Sequence, residues 1–170
     1  MANDFWTKNT GKFETGPRYG CIHVFSIAFR GKTGFNNAEF MATFTYQRRI
    51  AFHETDAAGV VYYGNYFRLA EEAETHALAS LGNPHAMAAY AYPRVHTEAD
   101  YAAPLRFFDE VRVQARIECI GNTTVHWEFL VQGPHGLCAT VRSVSTRRRA
   151  SDGAPAPYTE EEKALLAALQ

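Results

Sequence analysis

The sequence predicts an α+β domain in which one long helix lies against a curled antiparallel sheet of five strands. Three observations lead to it. A period-two run opens near residue 44, and a stretch of apolar residues spaced by three or four begins at Asn65. Four more period-two runs then follow with only short turns between them. Short turns join antiparallel neighbours, and a helix set before such a meander is segregated to one side of the sheet.

The chain has 170 residues, 46% hydrophobic and 21% charged, a globular composition of ordinary domain size. The composition is uneven. Residues 1–40 hold six of the 12 Phe, three of the four Lys and only three Ala, whereas residues 41–170 hold 23 Ala. Charge changes sign at the same point, from +2 before residue 41 to −3 after it. The chain therefore divides into an N-terminal leader, residues 1–40, and a domain, residues 41–170. The leader's longest apolar stretch, Cys21 to Phe29, falls well short of the ~20 residues of a spanning helix. No small-x-small cleavage site follows it. The leader reads as a peripheral or non-native segment without function, and Met41 would serve as a start.

In the first strand, Phe44, Tyr46, Arg48, Ile50 and Phe52 alternate with Thr45, Gln47, Arg49 and Ala51. A loop from His53 leads to the helix, whose stripe is Phe67, Ala70, Ala73, Ala77 and Leu81, closed by Gly82 and Pro84. Its many alanines suit close approach to a flat surface, and Arg68 and Glu72 form an i,i+4 pair on the outer side. Val95 to Tyr101 and Val111 to Cys119 follow as strands. Val125 to Val131 comes next, with apolar residues alternating with polar ones, and Leu137 to Arg147 is the last strand. Turns fall at Gly121-Asn122 and at Gly133 to Gly136. Thr159 and Glu162 have the spacing of a capping box for a short terminal helix that carries Leu165, Leu166 and Leu169.

The chemistry concentrates before the long helix. Asp56 lies in the loop, and the amides of Tyr63, Gly64 and Asn65 fall at the helix N-terminus, where unpaired N–H groups and the positive end of the dipole favour negative charge. A carboxylate facing such an end is the minimum equipment for acyl transfer. The helix end polarises a carbonyl while the carboxylate attacks or activates water. From residue types alone, a solvated turn aspartate is the commoner outcome, and the tyrosines serve equally as core. Glu71 and Glu74 read as a charged helix face.

The segment Asp56-Ala57-Ala58-Gly59-Val60-Val61-Tyr62-Tyr63-Gly64-Asn65-Tyr66 resembles the opening signature of the 4-hydroxybenzoyl-CoA thioesterase family of hotdog-fold proteins. The resemblance covers residues 43–158 and does not touch the leader. It implies the hotdog fold, a five-stranded sheet wrapped around one long central helix, and hydrolysis of an acyl-CoA. It further implies Asp56 as nucleophile or general base and the amide of Tyr63 as the group polarising the thioester carbonyl. Tyr at position 63, where many short-acyl members carry His, tilts the expectation towards an aromatic acyl group. Substrate contacts are expected from Gly64, Asn65, Tyr62 and Tyr66. The family's basic cluster near the turn at residues 121–124 is missing here, so CoA phosphate contacts are assigned to Arg147, Arg148 and Arg149. The uncharged turn leaves open an acyl carrier protein thioester as substrate, and a non-catalytic acyl-CoA sensor is a third reading. The resemblance also implies a homotetramer or homodimer, with the site between subunits.

The net charge of −1 argues against nucleic-acid and anionic-membrane partners. No P-loop, GxGxxG, G-x-S-x-G or metal-ligand spacing occurs, so no cofactor and no metal are expected. The three cysteines, Cys21, Cys119 and Cys138, form no CxxC, and a reducing cytoplasm is the expected location. A chain beginning at Met41 is expected to keep its thioester-hydrolysing activity. Loss of thiol release from that chain would give the leader a role.

Overall fold

The computed structural model describes residues 44–82 and 89–170. The leader and Pro84 lie outside the described residues. The first strand, β1 (Phe44–Arg49), leads through a 3-10 turn at Phe52–Glu54 to α1 (Asn65–Ser80). A two-residue strand β2 (Tyr90–Ala91) precedes β3 (Arg94–Tyr101), β4 (Glu110–Ile120), β5 (Thr124–Gly133) and β6 (Gly136–Thr146). The chain closes with β7 (Arg148–Arg149) and α2 (Glu160–Leu166). The α+β class and the antiparallel sheet agree with the sequence. The predicted first strand is shorter than expected, because Phe52 enters the 3-10 turn.

The five-stranded sheet runs in the order β1-β4-β5-β6-β3, antiparallel throughout. Its inner face carries Val111, Val113, Ala115 and Ile117 of β4, Val125, Trp127, Phe129 and Val131 of β5, and Ala139 and Val141 of β6, all buried. Against these α1 sets Tyr66, Leu69, Ala70, Ala73 and Ala77. The predicted stripe is thus rotated slightly. Its alanines are inside, but Tyr66 and Leu69 are buried more deeply than Phe67 and Leu81, which are only partly covered. Alanines at the contact let the helix lie near the sheet, and the large side chains of β5 fill the space between.

β5, the central strand, alternates apolar and polar residues as the sequence suggests, yet from Thr124 to Phe129 it is buried on both faces. Its outward residues Thr124, His126 and Glu128 are all covered. Glu128 owes its cover to cross-strand register. Arg116, Glu128, Arg142 and Glu98 stand opposite one another on four successive strands. Arg116 and Arg142 both pair with Glu128, and Arg142 also reaches Glu98. Alternating charge along one row is the favourable cross-strand arrangement. At the sheet's edge, β3 is exposed on nearly every residue, including Val95 and Tyr101.

The helix pair Arg68 and Glu72 does not form. Glu72 accepts from Arg48 Nε of β1 at 2.7 Å instead. The terminal capping box does form: Glu162 N–H donates to Thr159 Oγ1 and Thr159 N–H to Glu162 Oε2. Leu166 and Leu169 are buried and Leu165 is exposed.

β7 pairs with β2 in a two-stranded ribbon that the sequence did not suggest. Beside it, Arg147 is only 3% exposed. Its guanidinium lies 3.9 Å from the centroid of Tyr90 and 4.5 Å from that of Tyr158. It pairs with Glu162 at 2.7 Å and donates to the Pro157 carbonyl. This one cation clamps the C-terminal segment onto the sheet. Replacing it with Ala leaves the ring faces and Glu162 without their partner and is expected to cost about 2–4 kcal/mol in chemical denaturation. Arg149→Ala, at an exposed ion pair with Asp152, is expected to change stability by less than about 1 kcal/mol.

Candidate active site

The loop before α1 is built around Glu54. Its side chain is buried, although the other four residues from Ala51 to Thr55 are half-covered or exposed. Arg48 Nη1 and Nη2 donate to its two carboxylate oxygens at 2.7 and 2.5 Å, and the Ala51 N–H donates to one of them at 2.7 Å. The hydrogen bonds from Arg48 hold the Glu54 carboxyl below the ordinary carboxylate range, against the opposing effect of burial. The Glu54 backbone carbonyl accepts twice more, from Tyr62 N–H at 2.9 Å and from Asn65 Nδ2 at 2.8 Å. One residue therefore ties β1, the loop and the first residue of α1 together.

Between these ties the chain makes a tight hairpin. Thr55 bridges Val61, and Asp56 N–H donates to the Val60 carbonyl at 2.9 Å. Asp56 Oδ1 accepts from Ala58 N–H at 2.8 Å, an Asx turn that fixes the side chain at the tip. Gly59 has φ +73°, a conformation that side chains rarely adopt. Asp56 is exposed in the single chain.

The other arm leads to the helix. Tyr66 N–H donates to the Tyr63 carbonyl, which also accepts from the Tyr101 hydroxyl at 3.1 Å. The Tyr63 and Gly64 amides donate to no acceptor among the described residues. Gly64 permits a close approach, since a Cβ there would lie 3.0 Å from the Tyr62 ring. A second loop supports the first from behind. Val61 N–H donates to Leu105 O at 2.8 Å, and Val60 bridges Arg106. Within that loop Phe108 holds φ +72°, anchored by its N–H on Ile50 O.

The structure brings Asp56, Tyr63, Gly64, Tyr62 and Asn65 into one loop-helix unit, but gives them different tasks. Asn65 Nδ2 donates to Glu54 O and positions the helix end. Tyr66 is 3% exposed, stacked edge-on to Tyr101, with its hydroxyl accepting from Leu105 N–H. Both residues, expected to touch substrate, also carry structural bonds in this chain. Tyr62 and Tyr63 are exposed, their ring centroids 4.4 Å apart.

The arginine run is not beside this unit. Tyr101, whose hydroxyl meets Tyr63, pairs with Ala139, and the strand rise carries β6 on by about 26 Å from there to Arg147. Arg147 is buried in its clamp, so of the three only Arg148 and Arg149 retain surface. Sequence reasoning missed Arg48, Glu54 and Tyr101. Glu54 had a detectable signal, an acidic residue three positions after the turn's first residue, but its partners did not. Glu74, read as part of a charged face, is buried and pairs with Arg94 of β3 through both oxygens.

Among the described residues no group of His, Cys, Asp and Glu is arranged to hold a metal, and no helix is long and apolar enough to cross a membrane.

Comparison with known proteins gives this loop-helix unit a class. A family model described as Thioesterase superfamily matches residues 58–139, from the site loop into β6. A protein of Aquifex aeolicus assigned as an esterase is 33% identical over 91 residues, 52% of this chain and 71% of that one. A 1,4-dihydroxy-2-naphthoyl-CoA hydrolase of Synechococcus elongatus is 29% identical over 109 residues, covering 61% of this chain and 80% of its own. The solved structure of a gentisyl-coenzyme A thioesterase superposes with a TM-score of 0.66 at 26% identity, over 72% of this chain and 99% of the other. The chain belongs to the thioesterase superfamily, with the hotdog fold, and is a thioester hydrolase.

The Glu54 anchor predicts a pH dependence. A carboxyl that titrates lower in the folded chain than in the unfolded one stabilises fully above the ordinary value of about 4.3. That contribution is lost as pH falls through this value and then through Glu54's own lowered one. Glu54→Gln is expected to lower stability by about 2 kcal/mol at pH 7, with the gap to wild type narrowing below about pH 4 in urea titrations. A gap independent of pH would remove the ion pair as its cause.

Proposed function

We propose that the protein hydrolyses acyl-CoA thioesters with an aromatic acyl group. The observation that carries the proposal is the pair of amides, Tyr63 and Gly64, that have no acceptor at the start of α1 while Asp56 is held by its Asx turn on the same hairpin. In this reading the thioester carbonyl oxygen accepts from Tyr63 N–H. The helix end then stabilises the negative charge that develops on that oxygen. Asp56 acts on the carbonyl carbon by one of two routes. Attack by its carboxylate forms an acyl–aspartyl anhydride and expels CoA thiolate, and water then cleaves the anhydride. Alternatively, Asp56 takes a proton from the attacking water and the C–S bond breaks in the same tetrahedral intermediate. Both routes yield the free acid and CoA.

Tyr63 and the relatives named for dihydroxynaphthoyl-CoA and gentisyl-CoA support an aromatic acyl group. The exposed edge of β3 and the distance of Arg148 and Arg149 from Tyr63 support a homodimer or homotetramer, in which a second copy brings its arginines to the CoA phosphates. The inward turn of Arg147 favours one alternative, an acyl carrier protein thioester, whose carrier would need a docking surface in place of a phosphate site.

Asp56→Asn tests the assignment. With substitution confined to an exposed loop, the variant is expected to fold and to lose 10²- to 10⁴-fold in kcat for thiol release from benzoyl-type CoA thioesters. Turnover unchanged in Asp56→Asn would overturn the role of the carboxylate. Preference for the acyl carrier protein thioester over the CoA thioester would overturn the carrier.

A further inference from the structure

We propose that a cavity between α1 and strands β3 and β6 is the acyl subsite and that Ser143 in it recognises a neutral hydroxyl on the acyl group's aromatic ring. The proposal rests on the acyl-thioester reading above and adds to it a location and a specificity-determining residue. The cavity has a volume of about 140 Å³ and is partly open. Phe67, Ala70, Glu71 and Glu74 line it from α1, spaced so that they share one helix face. It begins at Phe67, about 6 Å along the helix axis from Tyr63, one turn beyond the amide assigned to the thioester carbonyl. An acyl group whose carbonyl sits at that amide reaches into the cavity with its ring.

Size and lining select the ligand. A cavity of roughly 150 Å³ with apolar walls takes up a benzene molecule, so this one holds a single aromatic ring. Its apolar wall comes from Phe67, Ala70, Phe129 and Val141. Its other end is polar, and there the groups differ in what they have left to give. Glu74 and Arg94 are joined through two hydrogen bonds and satisfy each other. Burial pushes the Glu74 carboxyl up, with Arg94 pulling against it. The two acidic groups in the lining, Glu71 and Glu74, disfavour a carboxylate substituent.

Ser143 is different. It is 6% exposed, lines the cavity, and its Oγ has no hydrogen-bond partner among the described residues. It stands on the inner face of β6, opposite Trp127 on one side and Thr97 on the other. Buried hydroxyls are normally paired, and one that is not, beside a cavity, can both donate to and accept from a group that arrives with a ligand. A ring hydroxyl is the substituent that meets both needs without charge.

The test compares wild type with Ser143→Ala on benzoyl-CoA and the three monohydroxybenzoyl-CoA isomers. Ala removes a hydroxyl that has no partner, so the variant is expected to fold at least as well as wild type. Wild type is expected to favour one hydroxylated isomer over benzoyl-CoA by about 10-fold or more in kcat/KM, and Ser143→Ala to lose that preference, its kcat/KM on the favoured isomer falling about 10-fold towards that on benzoyl-CoA. A preference that survives Ser143→Ala, or no preference in wild type, would overturn the subsite. Binding of the free hydroxybenzoates and benzoate to both proteins, followed by calorimetry, separates the two readings. Binding that weakens about 10-fold in Ser143→Ala without turnover of any thioester would uphold the subsite and overturn the hydrolysis of acyl-CoA. Turnover indifferent to Ser143 would do the reverse.

Discussion

The contact between Arg48 and Glu54 is what the site geometry depends on. A guanidinium on the last turns of β1 meets a buried carboxylate with two parallel hydrogen bonds, the strong planar form of this pairing. Burying the carboxylate is tolerable only because Arg48 and the Ala51 amide satisfy it. Once it is held, the carbonyl of the same residue is fixed in space, and from it hang the Tyr62 amide and the Asn65 side chain. The helix start and the Asp56 hairpin are therefore referred to the sheet through one residue. Arg48 also reaches Glu72 on α1, so the helix is tied to the same strand at a second point.

The sheet contributes a division between its faces. Outward, register places Arg116, Glu128, Arg142 and Glu98 in one row of alternating charge, which lets the central strand bury a carboxylate. Inward, the packing is apolar over β4 and most of β5, where Trp127 and Phe129 fill the space under an alanine-rich helix. Towards β3 that inner face turns polar, with Ser143 and Thr97 opposite each other and Arg94 answering Glu74. A thin apolar helix face over a mixed floor leaves room, and the room begins one turn from the amides proposed to bind the thioester. The chemistry and the selectivity proposed for this chain thus occupy adjoining stretches of the same helix.

Much of the fold was legible in the residues. Period-two runs in β4 and β5, the helix from Asn65, the turns at 121 and 133–136 and the Thr159–Glu162 box all depend on near neighbours in the chain, and all are present. What failed depended on distant ones. Glu72 looked like a partner for Arg68 four residues away, but Arg48 offers a partly buried guanidinium already oriented by Glu54. The alternation of β5 does not show that its polar residues Thr124, His126 and Glu128 are buried too, which its central place in the sheet decides. Arg147 looked like a solvated phosphate ligand at a strand end. The two tyrosines and the glutamate that enclose it come from residues 90, 158 and 162, which no local spacing connects.

The sequence by itself determined the class of the domain, the five principal strands and the long helix, and the loop to which the chemistry is assigned. Those follow from periodicity, turn residues and a short motif, all set within a few residues. Tertiary structure alone decided which polar groups are free to act. Among the described residues Tyr63 and Gly64 keep their amides unpaired and Ser143 its hydroxyl, while Asn65 Nδ2, the Tyr66 hydroxyl and Arg147 Nη2 are engaged within the fold. The physical reason is that a polar group's availability depends on every donor and acceptor around it, and for these residues the neighbours come from strands and loops far along the chain.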